Sequence, residues 1–289
     1  MMIPRTTRTV RSLHRPFGNV PLGRQVQVLS DGTIDTFKRT SFEPALPALL
    51  PCRHFLGTIP ATARWFLQNN PDTWELNYDY LSQFGDTIVP LELTKISPEA
   101  ENEDTFIRED GPLDILLNYE KRNTQGISLY LAQASRSRLP LGLQRDLPTP
   151  SIVLRAGKGD IYDTNIWIGK APTYTPLHRD PNPNLFVQLA GRKQVRLYAP
   201  EVGKQIFDDV MSSLGRAGAG GTIRGEEMMM GKERREFEKA VWHGGGEGCE
   251  VGYEVSLGAG DGLFIPKGWW HSIKGVGEGI TASVNWWFR

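Results

Sequence analysis

The rhythm of apolar and polar positions changes about a third of the way along the 289-residue chain. Residues 37–85 read as loops and short helices. Apolar positions recur with helical spacing over 60–68 and 74–84, and the second stretch stops at Gly85, a residue suited to ending a helix. Beyond it come short β-rich runs at 87–94, 126–132, 164–168, 185–189, 194–198, 262–265 and 280–287, separated by Gly, Pro and Asp. Such runs predict a β-sandwich or barrel behind a helical N-terminal part of about 31–125, with the barrel core at about 126–289. The link Ala190-Gly191-Arg192-Lys193 between two of the runs predicts a hairpin.

Residues 211–250 break the pattern. Gly215, Gly218, Gly220, Gly221, Gly244, Gly245 and Gly246 surround a charged stretch at 231–239, which predicts a flexible insertion with one exposed helix. Arg234 and Arg235 lie between Glu233 and Glu236, as on a solvated helix rather than a phosphate-binding patch. Trp242 and His243 read as a loop tip. No internal repeat is present, and no GxGxxG motif follows a strand.

Composition narrows the choice of partner. Thirty-three basic residues balance thirty-three acidic ones, so no global field draws the chain to nucleic acid or membrane, and a protein or small-molecule substrate is the better expectation. Cys52 and Cys249 are far apart and not in CxxC spacing, which argues against a disulfide framework and for an intracellular compartment, cytoplasmic or nuclear. Cys249 also lacks a neighbouring base that would make it a nucleophile. No run of 18 apolar residues predicts a membrane span. Residues 1–30 contain Arg5, Arg8, Arg11, Arg15 and Arg24 and no acid before Asp31. They read as a basic, disordered arm or as a mitochondrial targeting segment; Pro4, Pro16 and Pro21 disfavour the long amphipathic helix of the latter.

The candidate chemistry starts from Thr175-Pro-Leu-His178-Arg-Asp180. On an extended segment residues i and i+2 share a face, so His178 and Asp180 can offer an imidazole and a carboxylate to one ion. Among the five histidines, His271 follows the apolar run 262–265 and a turn. Two histidines and one carboxylate form the ligand set of non-haem iron(II) oxygenases, whereas a structural zinc site fills its tetrahedron with four protein ligands. An HxD pair alone is weak, because chance supplies one readily in a chain with five histidines.

The surroundings are more specific. The run from Thr175 through Asn184, Lys193 and Pro200, the later segment Gly260-Asp-Gly-Leu-Phe-Ile-Pro266 with Trp270-His271, and the closing Ala282-Ser-Val-Asn-Trp-Trp287 closely resemble the JmjC/cupin-8 group of 2-oxoglutarate oxygenases, its protein hydroxylases above all. Leu129-Tyr-Leu-Ala-Gln133 and Asn165-Ile-Trp167 fit as well, and the likeness spans about 40–289. It implies a double-stranded β-helix (a cupin, or jelly-roll, barrel) over 31–289. It also implies iron(II) held by His178, Asp180 and His271, with 2-oxoglutarate and dioxygen as the other cofactors. By the same likeness Lys193 pairs with the distal carboxylate of 2-oxoglutarate and Tyr130 and Thr175 donate hydroxyl hydrogen bonds to it. Asn184 and Asn285 line the pocket, and Trp167 forms an apolar wall. Trp269, Trp270, Trp286 and Trp287 are expected to pack the barrel end.

The function implied is hydroxylation of a protein side chain. The same chemistry on a small molecule or a modified tRNA base, N-demethylation, and a catalytically silent ligand-binding barrel are the alternatives. Oligomeric state is not legible; related enzymes often dimerise through terminal helices, and with Arg289 directly after the last expected strand such a dimer is not the expectation.

Overall fold

The computed structural model describes residues 22–70, 73–95, 105–122, 126–216, 230–243 and 252–289. The expected arm therefore lies outside the described residues up to position 21, as do positions 217–229 and 244–250 of the expected insertion.

Eight strands make the barrel: β9 (Ile161–Lys170), β10 (Thr173–Arg179), β11 (Asn184–Ala190), β12 (Arg192–Tyr198), β13 (Gly252–Leu257), β14 (Gly262–Ile265), β15 (Trp270–Val276) and β16 (Glu278–Phe288). They fall into two facing sheets. One contains the order β14-β11-β16-β9, the other β13-β12-β15-β10. Strand by strand the chain passes from one sheet to the other, except at β12 to β13, which is a jelly roll.

The N-terminal part extends these sheets. Its strands are β1 (Leu22–Gln25), β2 (Gln27–Val28), β3 (Ala48–Leu49), β4 (Phe66–Asn70), β5 (Thr73–Leu76), β6 (Ile88–Lys95), β7 (Thr105–Pro112) and β8 (Ser128–Ser135). Strands β8, β6 and β7 continue the first sheet beyond β9, β3 and β2 continue it beyond β14, and β1 adds to β13 in the second.

Alternation along β16 shows how the sequence encodes this. Ile280, Ala282, Val284, Trp286 and Phe288 point out of the barrel into an apolar cluster with Phe37, Leu50, Trp65 and Leu76 of the N-terminal part. Burial of each large side chain there contributes about 1.5–3 kcal/mol. The intervening Ser283 and Asn285 are buried polar residues on the opposite face, inside the barrel. On β11, Leu185, Val187 and Leu189 join the outer cluster, while Phe186 faces Val195, Leu197 and Ile273 within the barrel. The second sheet has its own cover. Phe207, Val210 and Met211 of the helix Pro200–Ser213 and Phe237 and Val241 of the following helical segment pack on Leu177, Tyr198 and Trp270. Among the described residues no helix is long and apolar enough to cross a membrane.

Four local expectations are corrected. The link at Gly191 is not a hairpin. Strand β11 pairs β14 and β16, whereas β12 pairs β13 and β15. Gly191, at φ 67°, turns the chain between sheets, and a Cβ there would stand 2.3 Å from the Ile280 carbonyl oxygen. The helix expected over 60–68 is one turn, Ala61–Arg64, followed by β4. That over 74–84 begins as β5, which pairs with β16, before short helices at Tyr78–Leu81 and Ser82–Phe84. Tertiary pairing overrides local periodicity at both, so the N-terminal part is mixed rather than helical. Residues 22–28, inside the expected arm, form β1 and β2.

The expected exposed helix of the insertion is Gly231–Glu238, continued by a π-helical turn at Lys239–His243. It is docked, not exposed: Phe237 is fully buried and stacks on Phe207 at 5.3 Å between ring centroids. Trp242 is accordingly part of that turn and not a loop tip.

Candidate active site

Strands β10 and β15 pair antiparallel, and their register slips by one residue between Thr175 and His178. The slip brings His178 opposite His271, with ring centroids 4.2 Å apart. Asp180 lies just beyond the end of β10, and its Oδ2 is 3.7 Å from His271 Nε2. All three side chains are buried, and one ligand atom from each lies within 4.8 Å of the others.

Hydrogen bonds fix how these groups present themselves. His178 Nδ1 is 2.8 Å from the Pro176 carbonyl oxygen and His271 Nδ1 is 3.2 Å from that of Trp269. A carbonyl only accepts, so each Nδ1 holds the proton and each Nε2 keeps a free lone pair. Burial, and then the neighbouring His271, hold the His178 imidazole below its ordinary titration range, which favours the neutral form a metal needs. Asp180 Oδ2 accepts from Asn184 Nδ2 at 2.8 Å and from Trp287 Nε1 at 3.0 Å. The set thus fits a divalent cation: two imidazoles with Nε2 turned inward and one anchored carboxylate.

Lys193 lies on β12 with only 3% of its surface exposed. Its Nζ donates to Ser283 Oγ at 2.8 Å and to the Tyr130 hydroxyl at 3.4 Å, and it lies 5.4 Å from the centre of the Phe186 ring. Among the described residues no carboxylate stands within ion-pair distance of it. Burial without a counterion depresses the amine to about pKa 7. An ammonium in this setting could take an anion as its counterion.

Tyr130 sits opposite Gly169 across the β8–β9 ladder, and a Cβ on that glycine would come within 2.2 Å of the Tyr130 ring. Burial, and then the nearby Glu92 carboxylate, push the Tyr130 phenol upward, so it remains a donor. Trp167 donates through Nε1 to Asn285 Oδ1 at 2.9 Å, which makes it a positioning donor and not merely the expected apolar wall. Thr175, Asn184, Asn285, Trp167, Tyr130 and Lys193 all border one cavity of about 420 Å³ together with His178, Asp180 and His271. Within it Asn184 Oδ1 and Asn285 Nδ2 are buried with no hydrogen-bond partner among the described residues. A second gap, of about 20 Å³ and lined by Trp65, Leu76 and other apolar side chains, holds no polar group and is a packing defect of the core.

Sequence reasoning did not single out Ser283. Its signal was the alternation of β16, where serine at an inward position of an otherwise apolar run is a buried hydroxyl in need of a partner. Trp287 was expected to pack the barrel end; it borders the cavity instead and donates to Asp180. Trp270 packs instead on the outer face of the second sheet, against Phe207 at 5.0 Å, Trp269 packs against Tyr253 in the inner cluster and Trp286 joins the outer cluster of the first sheet, so the four do not form one cluster at the barrel end.

Residues 94–289 match the family model described as a cupin-like domain. The chain belongs to this cupin-like, JmjC-type family. Curated relatives carry the same type of domain. The chain is 24% identical over 273 residues to the lysine-specific demethylase JMJ30 of Arabidopsis thaliana, covering 91% of this chain and 55% of that one. It is 24% identical over 279 residues to the Jumonji C domain-containing protein 5 of Drosophila melanogaster (95% and 62%), and 26% identical over 216 residues to the lysine-specific demethylase 8 of Danio rerio (74% and 48%). It therefore spans about half to three-fifths of the length of these relatives. JmjC-type cupins are 2-oxoglutarate-dependent oxygenases that use iron(II), 2-oxoglutarate and dioxygen, and the His178, Asp180 and His271 cluster matches that requirement.

Proposed function

We propose that the chain is an iron(II)- and 2-oxoglutarate-dependent dioxygenase that hydroxylates a protein side chain. The observation that carries this reading is the pairing, in one cavity, of a three-ligand cluster with a buried ammonium that has no counterion among the described residues.

Bound there, iron(II) with 2-oxoglutarate and dioxygen would supply oxidation of a C–H bond, with 2-oxoglutarate leaving as succinate and carbon dioxide. The chain's own groups hold and orient. His178 and His271 present Nε2, and Asp180 is turned toward them by Asn184 and Trp287. Three protein ligands leave positions open for co-reactants. Lys193, fixed by Ser283, would neutralise the far carboxylate of 2-oxoglutarate, with Tyr130 and Thr175 adding hydroxyl donors. Charges then cancel inside the barrel: the metal and the ammonium offset Asp180 and the dicarboxylate, so no net charge is left in a buried site.

The relatives named as lysine-specific demethylases favour a second reading, N-demethylation. It needs the same centre, because hydroxylating a carbon attached to nitrogen releases that carbon as formaldehyde. Both readings are tested together. Protein with iron(II) and ascorbate is expected to convert 2-oxoglutarate to succinate, and Asp180→Ala to abolish it. Peptides from cells with wild type or His178→Ala are then compared for gains of one oxygen atom against losses of a methyl group with formaldehyde release. No succinate from metal-loaded wild type with any peptide would refute the dioxygenase reading.

A further inference from the structure

The outer face of the sheet that bears both histidines is not left to solvent. Because strand side chains alternate, Ser272 lies between His271 and Ile273 and points away from the cavity. It is fully buried. Its Oγ donates to the Thr175 carbonyl oxygen at 2.8 Å and accepts from Trp242 Nε1 at 2.9 Å. Thr175 is where the β10–β15 register begins its slip, the irregularity that sets His178 opposite His271. One hydroxyl therefore ties the slip to the turn Lys239–His243 on the back of the sheet.

The turn is itself held by several contacts. Arg196, the cross-strand partner of Ser272, lies 4.6 Å from the centre of the Trp242 ring; its Nη1 donates to the Val241 carbonyl and its Nε to Glu254 at 2.7 Å. Lys274 Nζ lies 5.0 Å from the same ring and pairs with Glu238 at 2.7 Å. Phe237 and Val241 are buried beneath. An apolar helix face alone would suffice for cover. A cation on the ring from each of two strands and a single aimed indole N–H specify one position of the turn against the sheet.

We infer that the helical segment at 231–243 is a clamp on the back of the active-site sheet, and that Trp242 is a positioning residue for the metal ligands, acting through Ser272 on the slip between Thr175 and His178. The inference rests on the proposed metal site. It predicts that the clamp sets how tightly the two histidines converge.

The test is calorimetric titration of Co(II) into the full metal-free chain, which needs no turnover. Wild type is expected to bind one ion. Trp242→Phe keeps an aromatic face for the two cations but loses the N–H, and Ser272→Ala loses the relay. Each is expected to weaken Co(II) binding about 5-fold, below the 10–100-fold typical of groups that touch a ligand directly. Ser272→Thr keeps the hydroxyl and is expected to restore wild-type affinity. If Ser272→Ala fails to fold, Trp242→Phe and Ser272→Thr still decide the matter. Wild-type Co(II) affinity in a folded Trp242→Phe protein would overturn the clamp, as would equal loss in Ser272→Thr and Ser272→Ala. Absence of Co(II) binding by wild type would instead overturn the metal site itself.

Discussion

His178 and His271 are direct partners across the β10–β15 ladder, with ring centroids 4.2 Å apart and both side chains buried. Two imidazoles so placed cannot both be protonated cheaply. His178 titrates below its ordinary range, so as pH falls below about 6.5 the unfolded chain binds more protons than the folded one. Stability of the metal-free protein is therefore expected to fall as pH drops below about 6.5, and His178→Phe to flatten the fall. Thermal unfolding of both proteins in metal-free buffer across that range is the check.

Replacing Lys193 should separate binding from stability. Lys193→Met removes the cation proposed to hold the cosubstrate. Losing one partner of a buried charged pair costs about 2–5 kcal/mol, so the KM for 2-oxoglutarate should rise at least ~30-fold. The same change removes a buried ammonium that has no counterion among the described residues, and the midpoint of thermal unfolding of the empty protein should rise. Steady-state kinetics and calorimetry on one preparation test both directions.

The depressed amine also sets a pH dependence. In the empty protein Lys193 loses its proton near pH 7, whereas a bound carboxylate would hold the proton on. Cosubstrate binding above pH 7 should then take up a proton, and affinity should decline with rising pH by up to about tenfold per unit. Isothermal titrations in buffers of different ionisation enthalpy at pH 7 and 8 measure the uptake.

Asp180 depends on Trp287 and Asn184 for its orientation. Trp287→Phe should leave the fold intact and weaken metal affinity by about 10–100-fold, the usual consequence of losing a partner to a ligand. Asn184→Ala should do the same, and the double variant should lose more than either. Competition with a colorimetric chelator gives the numbers.

Much of this is legible in the sequence, and unevenly. Strands read well where a run is apolar on both faces, as Leu185, Phe186 and Val187 are, because burial on both sides leaves no helical stripe to confuse the reading. The site residues were legible because motifs place His178, Asp180 and Lys193 within a short stretch of chain. What failed was anything decided by pairing. The residues at Gly191 make a good tight turn in either case, and only the other strands determine that β11 and β12 go to different sheets. Trp242 lay among glycines, where composition suggests a loop, and its role depends on Ser272, 30 positions away. Ser283 was hidden likewise, since its partner Lys193 is 90 positions distant.

The most direct measurement of the central claim is anaerobic calorimetry of 2-oxoglutarate binding to wild type with and without iron(II), and to iron-loaded Lys193→Met. Tight binding of one 2-oxoglutarate per chain is expected only when both the metal and Lys193 are present. Equal affinity for the metal-free protein, or for Lys193→Met, would contradict a site in which three converging ligands and one buried ammonium hold the cosubstrate between them.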